Sequence, residues 1–176
     1  MIRRTGPEDT GGIRRIYRRA AAVRHGLLRE PEEITEDYAA DLAGTNLRGG
    51  IGLGYWTEGI LRGEIHAKHG TCVRAHRHLL QDVGIAVDPA AHGRGIGRQL
   101  FTALLEIVER ERPDIYRVEL YAFARNERNV RFYEALGFIE EGRYPGKNLQ
   151  PDGTLETPIS MAWINPGYKH SGPVGR

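Results

Sequence analysis

The segment from Val83 to Leu100 reads VGIAVDPAAHGRGIGRQL and is the most informative run in this chain of 176 residues. It begins as an apolar strand, turns at Asp88-Pro89 and passes through a glycine-rich run into an amphipathic helix. Gly93, Gly95 and Gly97 lack a Cβ atom, so the backbone can bend tightly and a ligand can approach its N–H groups. The first N–H groups of a helix have no partner within it, and with the helix dipole they favour an anion such as a diphosphate.

Two familiar phosphate-binding motifs do not fit this run. The dinucleotide fingerprint needs a third glycine at the position that Arg98 occupies. The nucleoside-triphosphate loop needs Gly-Lys-Ser/Thr, which occurs nowhere in the sequence. Arg94 and Arg98 can still add charge-assisted contacts to an anion, so the run predicts a phosphate site of a different kind.

Two separate runs resemble one known family. The run HGRGIG, from His92 to Gly97, resembles the diphosphate loop of the GNAT superfamily of acyl-CoA-dependent N-acetyltransferases, usually Gln/Arg-x-x-Gly-x-Gly/Ala. The run from Asn126 to Gly142 resembles that superfamily's second cofactor segment, Asn-x-x-Ala-x-x-x-Tyr-x-x-x-Gly-Phe. His92 replaces the usual Gln or Arg, and Asn129 replaces the usual alanine. The two runs follow each other in the order that the family shows.

The resemblance implies acetyl-CoA as the cofactor. In the family, the strand before the loop separates from its neighbour and its backbone binds the pantetheine arm, which here involves Ile85, Ala86 and Val87. The diphosphate would lie on the loop, and the sulfur would lie near Tyr133. The further residues implied to bind the cofactor are His92, Gly93, Arg94, Gly95, Ile96, Gly97, Arg98, Asn126, Asn129 and Tyr133.

The implied chemistry is direct attack of an amine on the thioester, with Tyr133 as general acid or as hydrogen-bond donor to the thiolate. A base, a water relay to one, or an amine already bound in its neutral form must deal with the amine proton. The family often places a glutamate where this chain has Gln81, which cannot act as a base. Asp82 would face the opposite way in a regular strand. The candidate bases are Glu64, His66, His78 and Asp82.

The pattern of elements predicts an α/β domain with the GNAT fold. We expect a mixed central sheet of about six to seven strands with a splayed pair, flanked by about four helices. Strands are predicted at 1–5, 51–57, 60–67, 79–87, 116–123, 138–141 and 159–164. Helices are predicted at 7–23, from 31 or 35 to 42, at 96–112 and at 126–137. In the strand 79–87, one apolar face is expected to hold Leu79, Val83, Ile85 and Val87, interrupted by Gln81. A single domain is expected over 1–167, followed by a flexible tail over 168–176.

The composition is that of an ordinary globular protein, with 40% hydrophobic and 27% charged residues. No apolar run approaches the roughly 20 residues of a membrane-spanning helix, and no secretory signal follows the first arginines, so a cytoplasmic location without membrane binding is expected. Cys72 is the only cysteine and is expected to be a small buried hydrophobe. Ser160 and Ser171 are the only serines, so a hydrolase with a Ser or Cys nucleophile is poorly supported.

Nucleic-acid binding and metal binding are both disfavoured. The first helix presents a basic face that is expected to be solvated, formed by Arg14, Arg15, Arg18 and Arg19. A net charge of only +2 argues against a nucleic-acid partner. A histidine group has no familiar zinc spacing, so no metal is expected at His66, His69, His76 and His78.

The sequence alone does not determine the acceptor. A small-molecule amine, a protein or peptide N-terminus, and a CoA-binding sensor whose catalysis has lapsed all fit, the last because of Gln81. The family builds its acceptor groove from segments corresponding to 24–46 and 143–156. The acidic run over 30–37 could attract a cationic amine, although a solvated helix start explains it more simply. A homodimer is expected by analogy alone.

Overall fold

The computed structural model describes residues 1–23, 27–70, 74–150 and 152–169. These residues form a seven-stranded sheet in the order β1-β2-β3-β4-β5-β9-β6, with a separate β7–β8 hairpin. The strands are β1 (Ile2–Arg4), β2 (Ile51–Thr57), β3 (Ile60–His69), β4 (Leu79–Val87), β5 (Arg117–Phe123), β6 (Ile139–Arg143), β7 (Asn148–Leu149), β8 (Leu155–Glu156) and β9 (Pro158–Ile164). Cys72, Ser171 and the segment 170–176 lie outside the described residues.

Four α-helices cover the two faces of the sheet within the described residues, as predicted. They are α1 (Thr10–Ala21), α2 (Glu36–Ala43), α3 (Ile96–Glu111) and α4 (Glu127–Glu134). The buried side chains of α1 and α2 form one core cluster, and those of α3 and α4 belong to the other. In α3, the amphipathic helix predicted after the loop, Ile96, Leu100, Leu104 and Val108 recur at helical spacing and are buried, and Ile107 is half-buried.

Local residues fix both ends of α4. The side chain of Asn126 accepts a hydrogen bond from the Asn129 N–H at 3.1 Å and caps the helix. Gly137, at φ +92°, lets the chain reverse after the last turn. The helix is therefore fixed at both ends, which holds its side chains firmly against β5.

The splayed pair of strands is β4 and β5. Every other ladder in the sheet is antiparallel, whereas β4 and β5 run parallel and pair only at Leu79–Arg117 and Leu80–Val118. The rest of β4 stays paired with β3 as far as Val87. The backbone edge of β4 that faces away from β3 is thus released over its second half, and this opens the sheet at the glycine-rich loop.

The strand β4 contains a bulge that the alternation pattern did not predict. At Asp82, φ is +50° and the register against β3 shifts by one residue. An extra residue exchanges the two faces of a strand. Leu80, and not Leu79, therefore joins the core face on which Val83, Ile85 and Val87 pack. The predicted face was wrong at this point, and Asp82 itself is exposed on the bulge.

The basic face of α1 is tied to its neighbours rather than only solvated. Three contacts make the connection: Arg14 pairs with Glu36 at 3.2 Å, Arg15 donates to the Leu61 carbonyl at 3.0 Å, and Arg19 pairs with Asp88 at 3.2 Å. These contacts hold α1 against α2, β3 and the end of β4.

The last described residues pack on the domain. The ring of Tyr168 lies 5.1 Å from that of Tyr116, and the Lys169 N–H donates to the Pro113 carbonyl at 2.9 Å. Among the described residues, no helix has both the length and the apolar character needed to cross a membrane.

Candidate active site

A cleft of about 770 Å³ lies between the end of β4, the glycine-rich loop and α4. The structure brings together here almost all of the residues implied to bind the cofactor: Ile85, Val87, His92, Gly93, Gly95, Ile96, Gly97, Arg98, Asn126, Asn129 and Tyr133. Two of the implied residues lie elsewhere. The Ala86 side chain is buried beneath α1, and Arg94 is exposed outside the lining.

The loop adopts a backbone that requires glycine at two positions. Gly93 and Gly95 have φ of +77° and +70°, and Gly95 directly precedes α3. A Cβ atom on Gly93 would meet nothing within 4 Å, so the backbone angle and not crowding selects glycine there. The first hydrogen bond of the helix runs from the Gln99 N–H to the Gly95 carbonyl at 3.1 Å. The N–H groups of residues 96–98 therefore remain available to an anion.

Two side chains hold the loop to the strand before it. His92 Nε2 lies 3.1 Å from the Val87 carbonyl oxygen, so this ring bridges the loop and the end of β4. Asp88 is fully buried, pairs with Arg19 and Arg62 at 3.2 Å, and accepts a hydrogen bond from the Ala90 N–H at 3.1 Å. The turn that presents the loop is therefore braced from both sides.

Tyr133 reaches the cleft from α4 and is fixed by aromatic packing. Its ring centroid lies 5.3 Å from that of Phe101, 5.4 Å from Phe132 and 6.0 Å from Phe138. Burial raises the pKa of Tyr133 to about 12, so its hydroxyl stays protonated at neutral pH. Complete proton transfer to a thiolate with a pKa near ~8.5 would be uphill by roughly 5 kcal/mol. The group is therefore suited to donate a hydrogen bond to the sulfur.

A second cavity, of about 270 Å³, adjoins the cleft. The two share Ile85, Asn129 and Tyr133 as common wall. The acceptor segment predicted over 24–46 contributes Leu27, Leu28, Arg29 and Tyr38 to its lining; the positions 24–26 lie outside the described residues. Sequence reasoning missed the contributions of Tyr17, Val83, Gly84, Tyr121, Ala122 and Phe123.

The candidate bases separate into two groups. Glu64 and His66 of β3 meet Tyr17 in the interior: its hydroxyl donates to Glu64 Oε2 at 2.6 Å, and His66 Nδ1 lies 3.2 Å from each of those two oxygens. His66 also lines the second cavity. His78 packs on Tyr116 with ring centroids 6.2 Å apart, and Asp82 is exposed on the bulge. Neither His78 nor Asp82 lines either cavity.

Arg128 also lines the cleft, together with Arg98. Sequence reasoning missed it, although it follows the Asn126 cap by two positions.

The histidines considered as a metal group do not converge, since His66 faces Tyr17 and His69 Nε2 lies 2.7 Å from the Arg77 carbonyl. Within the part of the chain that the structure describes, no group of three or more His, Cys, Asp or Glu could hold a metal ion.

A known protein family matches most of this chain. A model of the Acetyltransferase (GNAT) family matches residues 12–138, which is more than half of the chain. The chain belongs to the GNAT acetyltransferase family. The predicted family and fold are confirmed, and acetyl-CoA is confirmed as the cofactor that the family uses.

Solved structures share the GNAT fold of this chain over nearly its whole length. Ribosomal-protein-alanine N-acetyltransferase from Brucella melitensis is 24% identical, with a TM-score of 0.81, covering 93% of this chain and 99% of that one. The structure of yncA from Salmonella typhimurium with its cofactor acetyl-CoA is 20% identical, with a TM-score of 0.81, covering 100% and 98%. A phosphinothricin acetyltransferase from Sinorhizobium meliloti, in complex with AcCoA, is 19% identical, with a TM-score of 0.83, covering 99% and 92%. At these identities the likeness shows the fold and leaves the acceptor undetermined.

Proposed function

We propose that this GNAT protein transfers an acetyl group from acetyl-CoA to the primary amine of a small molecule, by direct attack in a ternary complex. The observation that carries the proposal is the common wall between the cleft and the second cavity. Because Tyr133 lines both, a donor in the cleft and an acceptor in the cavity would meet at its hydroxyl. Holding two reactants next to each other accounts for a large part of the rate enhancement in two-substrate catalysis.

The chemistry of the cleft lining suits coenzyme A. The unpaired amides at the start of α3 suit a diphosphate, and Arg98 and Arg128 add positive charge beside them. The released edge of β4 around Ile85 and Val87 suits the amide groups of the pantetheine arm. Bound there, acetyl-CoA supplies the activated acyl group, and the chain's own residues position it.

Two tasks then remain for the protein. Tyr133, kept protonated by burial, donates a hydrogen bond to the departing sulfur and stabilises its negative charge. An alkylamine with a pKa near ~10.4 carries a free lone pair in only about one molecule in 10³ at pH 7, so the amine proton needs an acceptor. The side chains of the second cavity must supply or relay that acceptor.

The second cavity favours a small acceptor that also carries a negative group. Among the described residues of its lining, Arg29 is the only Arg, Lys, Asp or Glu, and its guanidinium lies 4.4 Å from the Tyr38 ring centroid. Lys147 adds a second cation near the cavity, 4.5 Å from the ring centroid of Tyr121, which is one of the lining residues. The acidic run at 30–37 contributes nothing to this lining. We therefore expect amino acids or other carboxylated amines to be better acceptors than polyamines.

Acetylation of a peptide N-terminus is the second candidate. A further cavity of about 540 Å³ shares Leu27, Leu28 and Arg29 with the acceptor cavity and reaches Gln150 and Asp152 beside the β7–β8 hairpin. A chain extending from the acceptor cavity could follow this course. The Brucella melitensis neighbour is named as an enzyme that acts on a ribosomal protein.

A screen with acetyl-CoA, followed by thiol release and by mass of the product, distinguishes these functions. The panel contains amino acids, polyamines and short peptides with free N-termini. Turnover of free carboxylated amines supports the proposal, and turnover of peptides alone selects the second candidate. Tight CoA binding with no turnover of any amine would overturn both and indicate a sensor.

A further inference from the structure

The polar cluster of Tyr17, Glu64 and His66 is buried within an otherwise apolar core. The exposed fractions of these residues are 2%, 0% and 5%. Glu64 comes from the middle of β3 and His66 from two residues further along the same face. Burying a carboxylate and an imidazole costs free energy, and the packing of a core requires neither group. A cluster of this kind beside a cavity therefore suggests a chemical role.

The hydrogen bonds fix which nitrogen of His66 carries a proton. Burial, together with the charge of Glu64, raises the pKa of Tyr17 well above its ordinary value, so its hydroxyl keeps its single proton. That proton is donated to Glu64 Oε2. The oxygens of Tyr17 and Glu64 therefore both face His66 Nδ1 as acceptors, each at 3.2 Å. Nδ1 must carry the proton, which leaves Nε2 as the basic nitrogen of the neutral ring.

His66 lines the acceptor cavity, and the Cε1–Nε2 edge of its ring packs against Gly84. A Cβ atom on Gly84 would stand 2.5 Å from Cε1 and 2.7 Å from Nε2 of that ring. Gly84 also lines the cavity, and because it lacks a Cβ atom it leaves room for this edge of the His66 ring. Tyr133 lines the same cavity, so the His66 imidazole and the proposed sulfur partner border one volume of about 270 Å³.

We propose that His66 is the catalytic base of the acyl transfer, and that Glu64 and Tyr17 are positioning residues that fix its tautomer. This inference rests on the proposed function. As the amine nitrogen forms its bond to the thioester carbon, the carbon–sulfur bond breaks and the amine proton passes to Nε2 of His66. The sulfur leaves as a thiolate that Tyr133 hydrogen-bonds, and it takes up a proton from solvent, while His66 returns its own to solvent.

Glu64 has a second oxygen that suits it to this role. Its Oε1 atom is buried and has no hydrogen-bond partner among the described residues. An incompletely satisfied carboxylate favours positive charge close by, which is what the imidazole acquires when it accepts the amine proton. The other titratable or charged groups that face or electrostatically influence the ring are Arg29, Tyr38, Asp41, Tyr121 and Tyr133. Of these, Asp41 favours a positive charge on the imidazole, and Arg29 disfavours it.

A readout independent of activity tests the tautomer. In protein labelled with ¹⁵N-histidine and free of ligand, the spectrum of neutral His66 should show a protonated Nδ1 and an unprotonated Nε2. Tyr17→Phe should weaken this preference, whereas His76→Gln, at an exposed site, should only remove its own signals. The opposite tautomer at His66 would overturn the proposal.

Kinetics test the role itself. His66→Gln should lower kcat by about 10²- to 10³-fold and remove the acid limb of the pH–rate profile, with CoA affinity unchanged. Glu64→Gln should also lower kcat and weaken the Nδ1–H tautomer in the ¹⁵N spectrum, because the carboxylate that faces Nδ1 is gone. His76→Gln should match the wild type. If wild-type protein turns over no amine, the proposed function fails; if it does and His66→Gln keeps both rate and limb, only this inference fails.

Variants of a buried cluster can fail to fold, so a milder change completes the test. Tyr17→Phe removes one oxygen atom and should displace the acid limb along the pH axis while CoA affinity is retained. Gly84→Ala should reduce kcat by pushing the ring from its place. An unchanged limb in Tyr17→Phe together with an unchanged kcat in Gly84→Ala would contradict the proposal even if His66→Gln cannot be purified.

Discussion

The ring of Tyr133 lies edge-on to that of Phe101, with centroids 5.3 Å apart, and both residues line the cleft beside the glycine-rich loop. One belongs to α4 and the other to α3, so the two helices that flank the cleft are joined at this contact. The position of the Tyr133 hydroxyl is therefore set by packing between rings. Loss of the hydroxyl alone should leave this packing intact.

Tyr133→Phe is expected to reduce kcat about 10- to 100-fold, since a hydrogen bond to a charged group contributes about 1.5–3 kcal/mol. CoA affinity, measured by calorimetry, should change little because the ring remains. Tyr116→Phe, which contacts Tyr168 far along the chain, is the matched control and should keep the wild-type rate. Equal rates for wild type and Tyr133→Phe would remove Tyr133 from the mechanism.

The buried tyrosines should make the protein lose stability at alkaline pH. Burial raises the pKa of Tyr133 to about 12, against ~10 in the unfolded chain, so the folded state holds its proton longer. The contribution is complete below about pH 10 and is lost as pH rises from there towards 12. At pH 11 this residue alone should lower the free energy of unfolding by about 1.4 kcal/mol. Urea unfolding at pH 8 and pH 11 measures the loss, and Tyr133→Phe should reduce it; an equal loss in both proteins would show that the group titrates normally.

The backbone of the loop can be tested against a turn of the same conformation. Gly95 has φ +70° and Gly59, in the β2–β3 turn, has φ +74°. Alanine at either position should cost about 1–2 kcal/mol of stability from the left-handed conformation alone. Only Gly95→Ala should also weaken CoA binding, by an expected factor of about ten or more, because it disturbs amides that hold the diphosphate. Similar CoA affinities for the two variants would argue against the loop as the anion site.

Asp88 should be a major structural residue of the site. It is fully buried, accepts the Ala90 N–H and faces the guanidinium groups of Arg19 and Arg62. Asp88→Ala is expected to lower the free energy of unfolding by about 3 kcal/mol and to weaken CoA binding by loosening the loop. Asp114→Ala, which breaks an exposed pair with Arg112, should cost less than about 1 kcal/mol. Comparable losses in the two variants would contradict the assigned role.

The local structure of the proposed cofactor site could be predicted from the sequence because its determinants lie close together in the chain. The glycines of the loop, the apolar stripe of α3 and the Asn126 cap each act within a few residues of chain, and each was found where the pattern indicated. The family resemblance rests on the same two runs. Local backbone requirements of this kind leave a direct mark on the residue types.

For the acceptor side, the sequence indicated the segment 24–46 and a set of candidate bases, but how they come together could not be predicted, because this depends on contacts between distant elements. Tyr17 meets Glu64 and His66 across separations of 47 and 49 residues, and its spacing in α1 is indistinguishable from that of an ordinary core residue. The bulge at Asp82 is set by the pairing of β4 with β3, so a strict alternation assigned Leu79 to the wrong face. Arg29 enters the cavity through a segment that has no helical or strand period.

The amides between His92 and Arg98 are proposed to bind the diphosphate of coenzyme A. Isothermal titration of the purified protein with CoA and, separately, with pantetheine tests it directly, since pantetheine keeps the thiol arm and lacks the diphosphate. We expect CoA to bind with a dissociation constant in the micromolar range, about −8 kcal/mol, and pantetheine to bind at least 100-fold more weakly. No heat with CoA, or equal affinities for the two compounds, would contradict the claim.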